Sequence, residues 1–245
     1  MSKVSKLEIA KMIDHSLLHP TMDDQTLKEG CELARKYHVA SVCIKPYAVK
    51  MAVAMLQESD VKVGTVVGFP HGSSRIDVKV FETGKAIEDG AVEIDMVVNS
   101  GKVISEDWDY VTDEIHALVE VTKANGVTLK VIFENDFLPK ESHKIKLCKI
   151  CSVLGVEFVK TSTGYGYTKQ ADGSYNYKGA TTEDLILMRK HSAPEVGVKA
   201  AGGVRTLEDA LRVRELGVTR IGATATEAII LAVDGIEGGK TPDGY

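Results

Sequence analysis

A lysine closes a short apolar run at Val156-Glu157-Phe158-Val159-Lys160, and Thr161-Ser162-Thr163-Gly164 follow at once. Such a run, ending in small hydroxyl residues and a glycine, reads as a strand whose carboxyl end carries the amine into a loop. Lysine is almost never buried without a partner or a task. In an apolar site beside a second cation, its amine loses the proton readily and becomes a nucleophile toward a carbonyl carbon. The bland alternative is a strand-end lysine that snorkels to water, and Lys160 alone favours that alternative. Other strand-like stretches bring more charge: Glu93-Ile94-Asp95-Met96-Val97, Leu129-Lys130-Val131-Ile132 and Val198-Lys199-Ala200-Ala201. One carboxylate and two amines suffice to pass protons without a metal.

Positioning these groups takes strands, and the chain alternates strand-like with helix-like segments from end to end. Strand patterns fall at 13–18, 39–44, 62–67, 91–98, 128–133, 156–160, 196–201 and 220–223. Helical patterns cover 3–12, a segment capped by Thr21 with Leu27, Cys31, Ala34 and His38 on one face, and a segment opened by Pro46. Others run over about 74–89, 105–124, 139–153, 182–191 and 206–216, with a last one after 223. Strict alternation implies parallel strands joined by crossovers. Eight such units in 245 residues match a closed (β/α)8 TIM barrel: an α/β fold, one domain over 1–245, with an N-terminal helix. An open doubly wound sheet is the runner-up.

Alternation along each strand assigns the faces. If the evenly apolar face packs on the helices, Val92, Ile94, Met96 and Val98 point outward and Glu93, Asp95, Val97 and Asn99 inward. The same parity turns Lys130, Ile132 and Glu134, Ser41 and Cys43, and Lys199 toward the lumen, with Lys160 and Asp14 joining them. Lys130–Glu134 and Asp95 with a lysine could instead be buried structural ion pairs. Three inward lysines exceed what stability asks for, so catalysis is the stronger reading. Gly202-Gly203-Val204-Arg205-Thr206 follow the seventh strand and Gly222-Ala223-Thr224-Ala225-Thr226 the eighth. Loops at these two places, with a helix N-terminus, form the usual phosphate site of such a barrel. The alternative is a pair of tight turns, with Thr226 as a helix cap.

Composition excludes other classes. A net charge of -5 offers no nucleic-acid surface, and no apolar run reaches the length of a membrane helix. Met1-Ser2-Lys3-Val4-Ser5-Lys6 does not read as a signal peptide. Of the four cysteines, Cys148 and Cys151 form a CxxC on the apolar face of a predicted helix. No second pair completes a zinc set, which points to packing and to a reducing cytoplasm.

Taken together, Ile13-Asp14-His15-Ser16-Leu17-Leu18, Cys43, Gly68-Phe69-Pro70-His71-Gly72, the Asp95 and Lys130 strands, Phe158-Val159-Lys160-Thr161-Ser162-Thr163-Gly164 and Val198-Lys199-Ala200-Ala201-Gly202-Gly203-Val204-Arg205 resemble the deoxyribose-phosphate aldolases, class I aldolases on a TIM barrel. The resemblance spans essentially the whole chain. It implies that Lys160 is the Schiff-base nucleophile, that Lys199 is the cation lowering its pKa, and that Asp95 is the acid/base working with Lys199. It also implies substrate contacts from Asp14, Cys43, Lys130, Thr163, Gly202, Gly203, Gly222 and Thr224. The family reaction is the reversible cleavage of 2-deoxy-D-ribose 5-phosphate to acetaldehyde and D-glyceraldehyde 3-phosphate. It needs no metal or organic cofactor. Such a protein is a cytoplasmic homo-oligomer, a dimer or tetramer, whose partners are the sugar phosphate and acetaldehyde.

The chain departs from the family pattern in places. Residues 165–178 intervene before Gly179-Ala180-Thr181, holding four of the eight tyrosines and the turn signal Asp172-Gly173. They read as a hairpin at the barrel mouth that covers substrate or meets a neighbouring subunit. Lys169 or Lys178 is a candidate phosphate-binding lysine there; a solvated loop is the alternative. Thr224-Ala225 stand where serines are common, and Asn135 where threonine is usual. Tyr245 ends the chain, as in members where a terminal tyrosine assists proton transfer. Two other functions stay open on the residues: a barrel enzyme using Asp95 and a lysine as plain acid and base or cleaving another sugar phosphate, and a non-catalytic sugar-phosphate binder.

Overall fold

The structure, a computed structural model, describes residues 4–235. Tyr245 lies outside them. A capping box at Ser5 opens α1 (Lys6–Ala10), which leads into β1 (Ile13–Leu17). Next come α2 (Asp24–Tyr37), β2 (Ser41–Ile44), a 3-10 turn at Pro46–Ala48, α3 (Val49–Leu56) and β3 (Lys62–Val67). They are followed by α4 (Ile76–Glu88), β4 (Glu93–Val97), α5 (Ser100–Ile104), α6 (Trp108–Ala124), β5 (Thr128–Ile132), a 3-10 turn at Asn135–Phe137 and α7 (Glu141–Leu154). The chain ends with β6 (Phe158–Lys160), a hairpin of β7 (Thr168–Lys169) and β8 (Tyr175–Asn176), α8 (Thr182–His191), β9 (Gly197–Ala201), α9 (Leu207–Glu215), β10 (Arg220–Ala223) and α10 (Thr226–Ala232).

Eight of these strands close a parallel barrel in the order β1-β10-β9-β6-β5-β4-β3-β2. This is the (β/α)8 TIM barrel, and the doubly wound sheet is excluded. The two short strands left over pair only with each other, antiparallel, so the hairpin stands apart from the barrel and β6 meets β9 directly. Val42, Ile44, Ile94, Met96, Leu129, Val131, Val198 and Ala200 are fully buried between the barrel and its helices. Burying each such side chain is worth about 1.5–3 kcal/mol. That apolar shell fixes strand parity and leaves the charged alternates of β1, β4, β5 and β9 facing the lumen; His15 and Thr65 are polar exceptions on the helix-facing side.

Several boundaries differ from the sequence reading. The cap of α2 is Asp23, whose carboxylate accepts from Thr26 N at 2.8 Å; Thr21 instead turns back to His19 Nδ1 at 3.3 Å. His38 is exposed and ends α2 in the left-handed region, at φ 53. The helix expected over 105–124 is α6, and a short helix not expected from the sequence, α5, precedes it. Glu106 breaks the path at φ 56, and Asp107 starts α6 by accepting from Tyr110 N at 3.3 Å. Thr226 is no cap: its hydroxyl meets Nδ1 of buried His15 at 2.8 Å. Cys148 and Cys151 are free and buried on α7, and burial drives both thiols upward, Cys148 to about 11. No described helix is long and apolar enough to cross a membrane.

Candidate active site

Lumen-facing charges form one connected cluster. At its base Arg220, from the first residue of β10, grips Glu93 of β4, Nη2 to Oε1 at 2.8 Å, and also donates to Asp14 of β1. Lys130 on β5 sits between three carboxylates: Glu93 at 2.6 Å, Asp95 at 2.8 Å and Asp14 at 3.4 Å. Ser41 Oγ donates to Asp14 at 2.7 Å. Above, Lys199 on β9 donates to Asp14 at 2.5 Å and to Asp95 Oδ2 at 2.8 Å. Lys160, the last residue of β6, donates to that same Asp95 oxygen at 2.8 Å. Lys160 and Lys199 are register partners on neighbouring strands, so they point the same way by construction. All three lysines are at most 3% exposed, and Asp14, Glu93 and Asp95 are fully buried.

Counting charges separates the amines. Three carboxylates, Asp14, Glu93 and Asp95, face four cations, Lys130, Lys160, Lys199 and Arg220. Lys62 reaches Glu93 only from a solvent-exposed position at 3.6 Å and adds little. The buried cluster is therefore neutral when one cation gives up its proton, and burial of net charge is expensive. Arginine does not deprotonate in proteins. Burial pulls Lys130 down, but Asp14, Asp95 and Glu93 more than offset it and hold it well above the usual lysine value. Burial is likewise overcome for Lys199 by Asp14 and Asp95, and its pKa is raised. Lys160 touches one carboxylate only. Its pKa is lowered, first by burial and further by the Lys199 charge, with Asp95 opposing. Of the three cluster lysines, Lys160 thus holds its proton least tightly. Asp95, despite burial, is held far below the usual carboxylate range by Lys130, Lys160 and Lys199.

Over this cluster opens a cavity lined by Asp14, Ser16, Leu18, Cys43, Lys160, Thr163, Gly164, Tyr165, Tyr177, Lys199, residues 201–205, Gly222, Ala223 and Thr224. Of the residues singled out from sequence, Lys160, Lys199, Asp14, Cys43, Thr163, Gly202, Gly203, Gly222 and Thr224 come together here. Asp95 and Lys130 do not reach the lining; they lie one layer below. Lys130 is held by its three carboxylates and does not line the cavity where substrate contact was expected of it. Glu134 is not its partner: it accepts from Thr163 N at 3.2 Å and from the Thr163 hydroxyl, and burial lifts its carboxyl to about 7. The Cys43 thiol lies 4.0 Å from Asp95, and burial pushes it to about 11, so it faces the cavity uncharged. Lys169 and Lys178 are exposed and do not line the cavity.

Arg220 escaped notice in the sequence although its parity, opposite to Ile221, marks it as inward. Ser16 and Leu18 carried no signal of their own. Tyr165 and Tyr177 were visible only as part of a tyrosine-rich insert.

A closed parallel barrel whose β-to-α loops build a cavity over buried lysines and carboxylates has the architecture of a barrel enzyme. Residues 8–226 match the DeoC/LacD family aldolases, and the chain belongs to that family. Among its relatives, a deoxyribose-phosphate aldolase of Rhodopirellula baltica is 50% identical over 223 residues, 91% of this chain and 88% of that one. One of Caldanaerobacter subterraneus subsp. tengcongensis is 47% identical, over 92% of this chain and 94% of its own. The tetrameric deoxyribose phosphate aldolase of Aeropyrum pernix superposes with a TM-score of 0.83 at 26% identity, over 94% of this chain and 93% of that one.

Proposed function

We propose that the chain, acting as one catalytic unit, is a deoxyribose-phosphate aldolase working through an imine on Lys160. The observation that carries this is the Lys160 amine at the foot of the cavity, 2.8 Å from an Asp95 oxygen that Lys199 also binds at 2.8 Å, and the only cluster lysine whose pKa falls. The neutral amine attacks C1 of the open-chain sugar phosphate. The Lys199 ammonium, which lines the cavity, is placed to protonate the departing carbinolamine hydroxyl, so that water leaves and the iminium forms. The Lys199 amine, left neutral by that step, takes the C3 hydroxyl proton as the C2–C3 bond breaks, and holds it for return to C2. The electron pair of that bond enters the iminium to give an enamine, and D-glyceraldehyde 3-phosphate departs. Protonation at C2 and hydrolysis return acetaldehyde and the free amine. Asp95, below the lining, orients both amines and balances charge as the proton moves. Glycine backbone at 202–203 and 222, with Thr224, faces the phosphate end.

The high identity to curated aldolases supports this substrate, and the tetrameric relative supports a homo-oligomer. The four free, buried cysteines accord with a reducing cytoplasm. The test is acetaldehyde with borohydride: a reduced two-carbon adduct on the Lys160 peptide is expected. Its absence there, with cleavage of deoxyribose 5-phosphate intact, removes the mechanism.

A further inference from the structure

We propose that Tyr177, carried by the hairpin insert, is a specificity-determining residue whose phenol donates a hydrogen bond to the substrate's phosphate. The inference rests on the aldolase reading above and adds to it a group that the barrel loops do not supply.

Tyr177 lines the catalytic cavity beside Gly202, Gly203 and Arg205. Its ring lies close over Gly202, whose φ is +83: a Cβ added there would stand 3.2 Å from Tyr177 Cε2, the ring carbon next to the one bearing the hydroxyl. The phenol end of the side chain is therefore the part that borders the glycine loop. That hydroxyl makes no hydrogen bond to any described residue, whereas the ring itself is braced. Tyr167 meets it edge-on at 5.1 Å. The backbone just beyond Tyr177 is pinned to the loop after β5, where the Asp136 carboxylate accepts from Lys178 N at 2.6 Å and from Gly179 N at 3.0 Å. The hairpin tip is closed independently by Asp172, which accepts from Ser174 N at 2.9 Å and its hydroxyl at 2.6 Å.

A side chain anchored at its root, supported at its face and left with a free donor at a cavity wall is prepared for a ligand acceptor. Phosphoryl oxygens are the acceptors expected at this end, and a phenol is a neutral donor at pH 7. A tyrosine also gives up little conformational freedom on binding. The neighbouring stretch supplies a reason for the extra donor: Thr224 offers a hydroxyl, but Ala225 offers none.

The test compares kcat/KM for deoxyribose 5-phosphate with kcat/KM for unphosphorylated deoxyribose, in the native enzyme and in Tyr177→Phe, which keeps the ring and its packing. Loss of one hydrogen bond to a charged group lowers the preference for the phosphorylated sugar roughly tenfold to a hundredfold. The inhibition constant of inorganic phosphate should rise by a similar factor. An unchanged preference in Y177F, or equal losses on both sugars, overturns the role assigned to the phenol while leaving the aldolase reading intact. If the native enzyme cleaves both sugars equally well, the phosphate reading falls and this inference falls with it. Replacing Thr168–Asn176 by a two-glycine turn checks the anchor: because Asp136 holds the chain beyond Tyr177, the preference should survive in part, and a loss no larger than in native enzyme after Y177F is expected.

Discussion

Replacing Lys199 by methionine tests the electrostatics most directly. Lys160 and Lys199 each lie 2.8 Å from the same Asp95 oxygen, so their nitrogens are at most 5.6 Å apart. At an effective dielectric of about 20, two unit charges at that distance repel by about 3 kcal/mol. A factor of ten costs about 1.4 kcal/mol, so losing the repulsion cuts the free-amine fraction of Lys160 roughly a hundredfold at neutral pH. The charge count acts in the same direction. Without Lys199 three carboxylates face three cations, the cluster is neutral with Lys160 protonated, and nothing expels its proton. Lys199→Met should therefore lose about two orders of magnitude in kcat/KM at pH 7, with the ascending, acid-side limb of the profile displaced to higher pH and activity partly regained there. Because Lys199 is also placed to protonate the carbinolamine, turnover alone does not separate the two roles. The pH dependence of borohydride trapping of acetaldehyde on Lys160 does, since only the displaced profile reports the amine. Trapping by K199M at pH 7 at the native rate would refute the reasoning; so would a loss of the same size at every pH.

Asp95→Asn removes the anion shared by Lys130, Lys160 and Lys199, leaving buried cations in excess; a stability loss of about 3–5 kcal/mol is expected by denaturant titration, and an unchanged midpoint contradicts the network. Lys79→Met tests a second buried pair away from the cavity: Lys79 Nζ donates to Glu114 at 2.6 Å and to the carbonyls of Gly72 and Val97 at 2.8 and 2.6 Å. Its loss strands Glu114 and costs a similar amount, while trapping at Lys160 should persist in the folded fraction; loss of trapping with stability intact would show that Lys79 serves the site. His15 predicts an acid limb in stability. Burial lowers its pKa from 6.5 to about 4, so its contribution is complete above pH 6.5 and is lost as pH falls toward 4. The size is on the order of 3 kcal/mol, and His15→Gln should flatten that part of the curve; a native-shaped curve in the variant shows that another group titrates. Glu134 carries the opposite sign: its carboxyl is raised from 4.5 to about 7, so its contribution is present below pH 4.5 and fades as pH rises through 7. Glu134→Gln should remove that neutral-range slope, and persistence of the slope sinks the assignment.

Most of the barrel was readable because its outward face is predominantly apolar. Ile94, Met96, Leu129 and Val131 set the parity, and parity placed Asp95 and Lys130 in the lumen before any contact was known. Lengths and crossovers were legible for the same reason: periods of two and near four alternate along the chain. What failed was local. Asp23 displaced Thr21 as a cap because both residue types satisfy free N–H groups, and only the path of the chain selects between them. The short helix α5 was missed, and it is set off from α6 by Glu106 in the left-handed region, for which glutamate gives no signal. In the site, the lumen was legible and its rim was not. Tyr177 reaches Gly202 through a hairpin root held by Asp136, and a contact between residues 136 and 178 leaves no trace in spacing.

Residue type alone did not distinguish Lys160 from Lys130 or Lys199. All three are lysines on short apolar strands, and each faces inward. What separates them is how many carboxylates each one touches, which depends on barrel order. Closure sets β10 between β1 and β9, and that brings Arg220 to Asp14 and Glu93. Arg220 takes up acceptor capacity at the base with a charge that cannot be shed. Lys130 and Lys199 occupy the remaining acceptors, and Lys160 is left with one oxygen already shared. On the proposed mechanism, the nucleophilic amine is thus selected by an arginine that does not line the cavity. Its pKa is lowered first by burial, and the surplus of one cation over the cluster's carboxylates acts in the same direction as its nearest cationic neighbour.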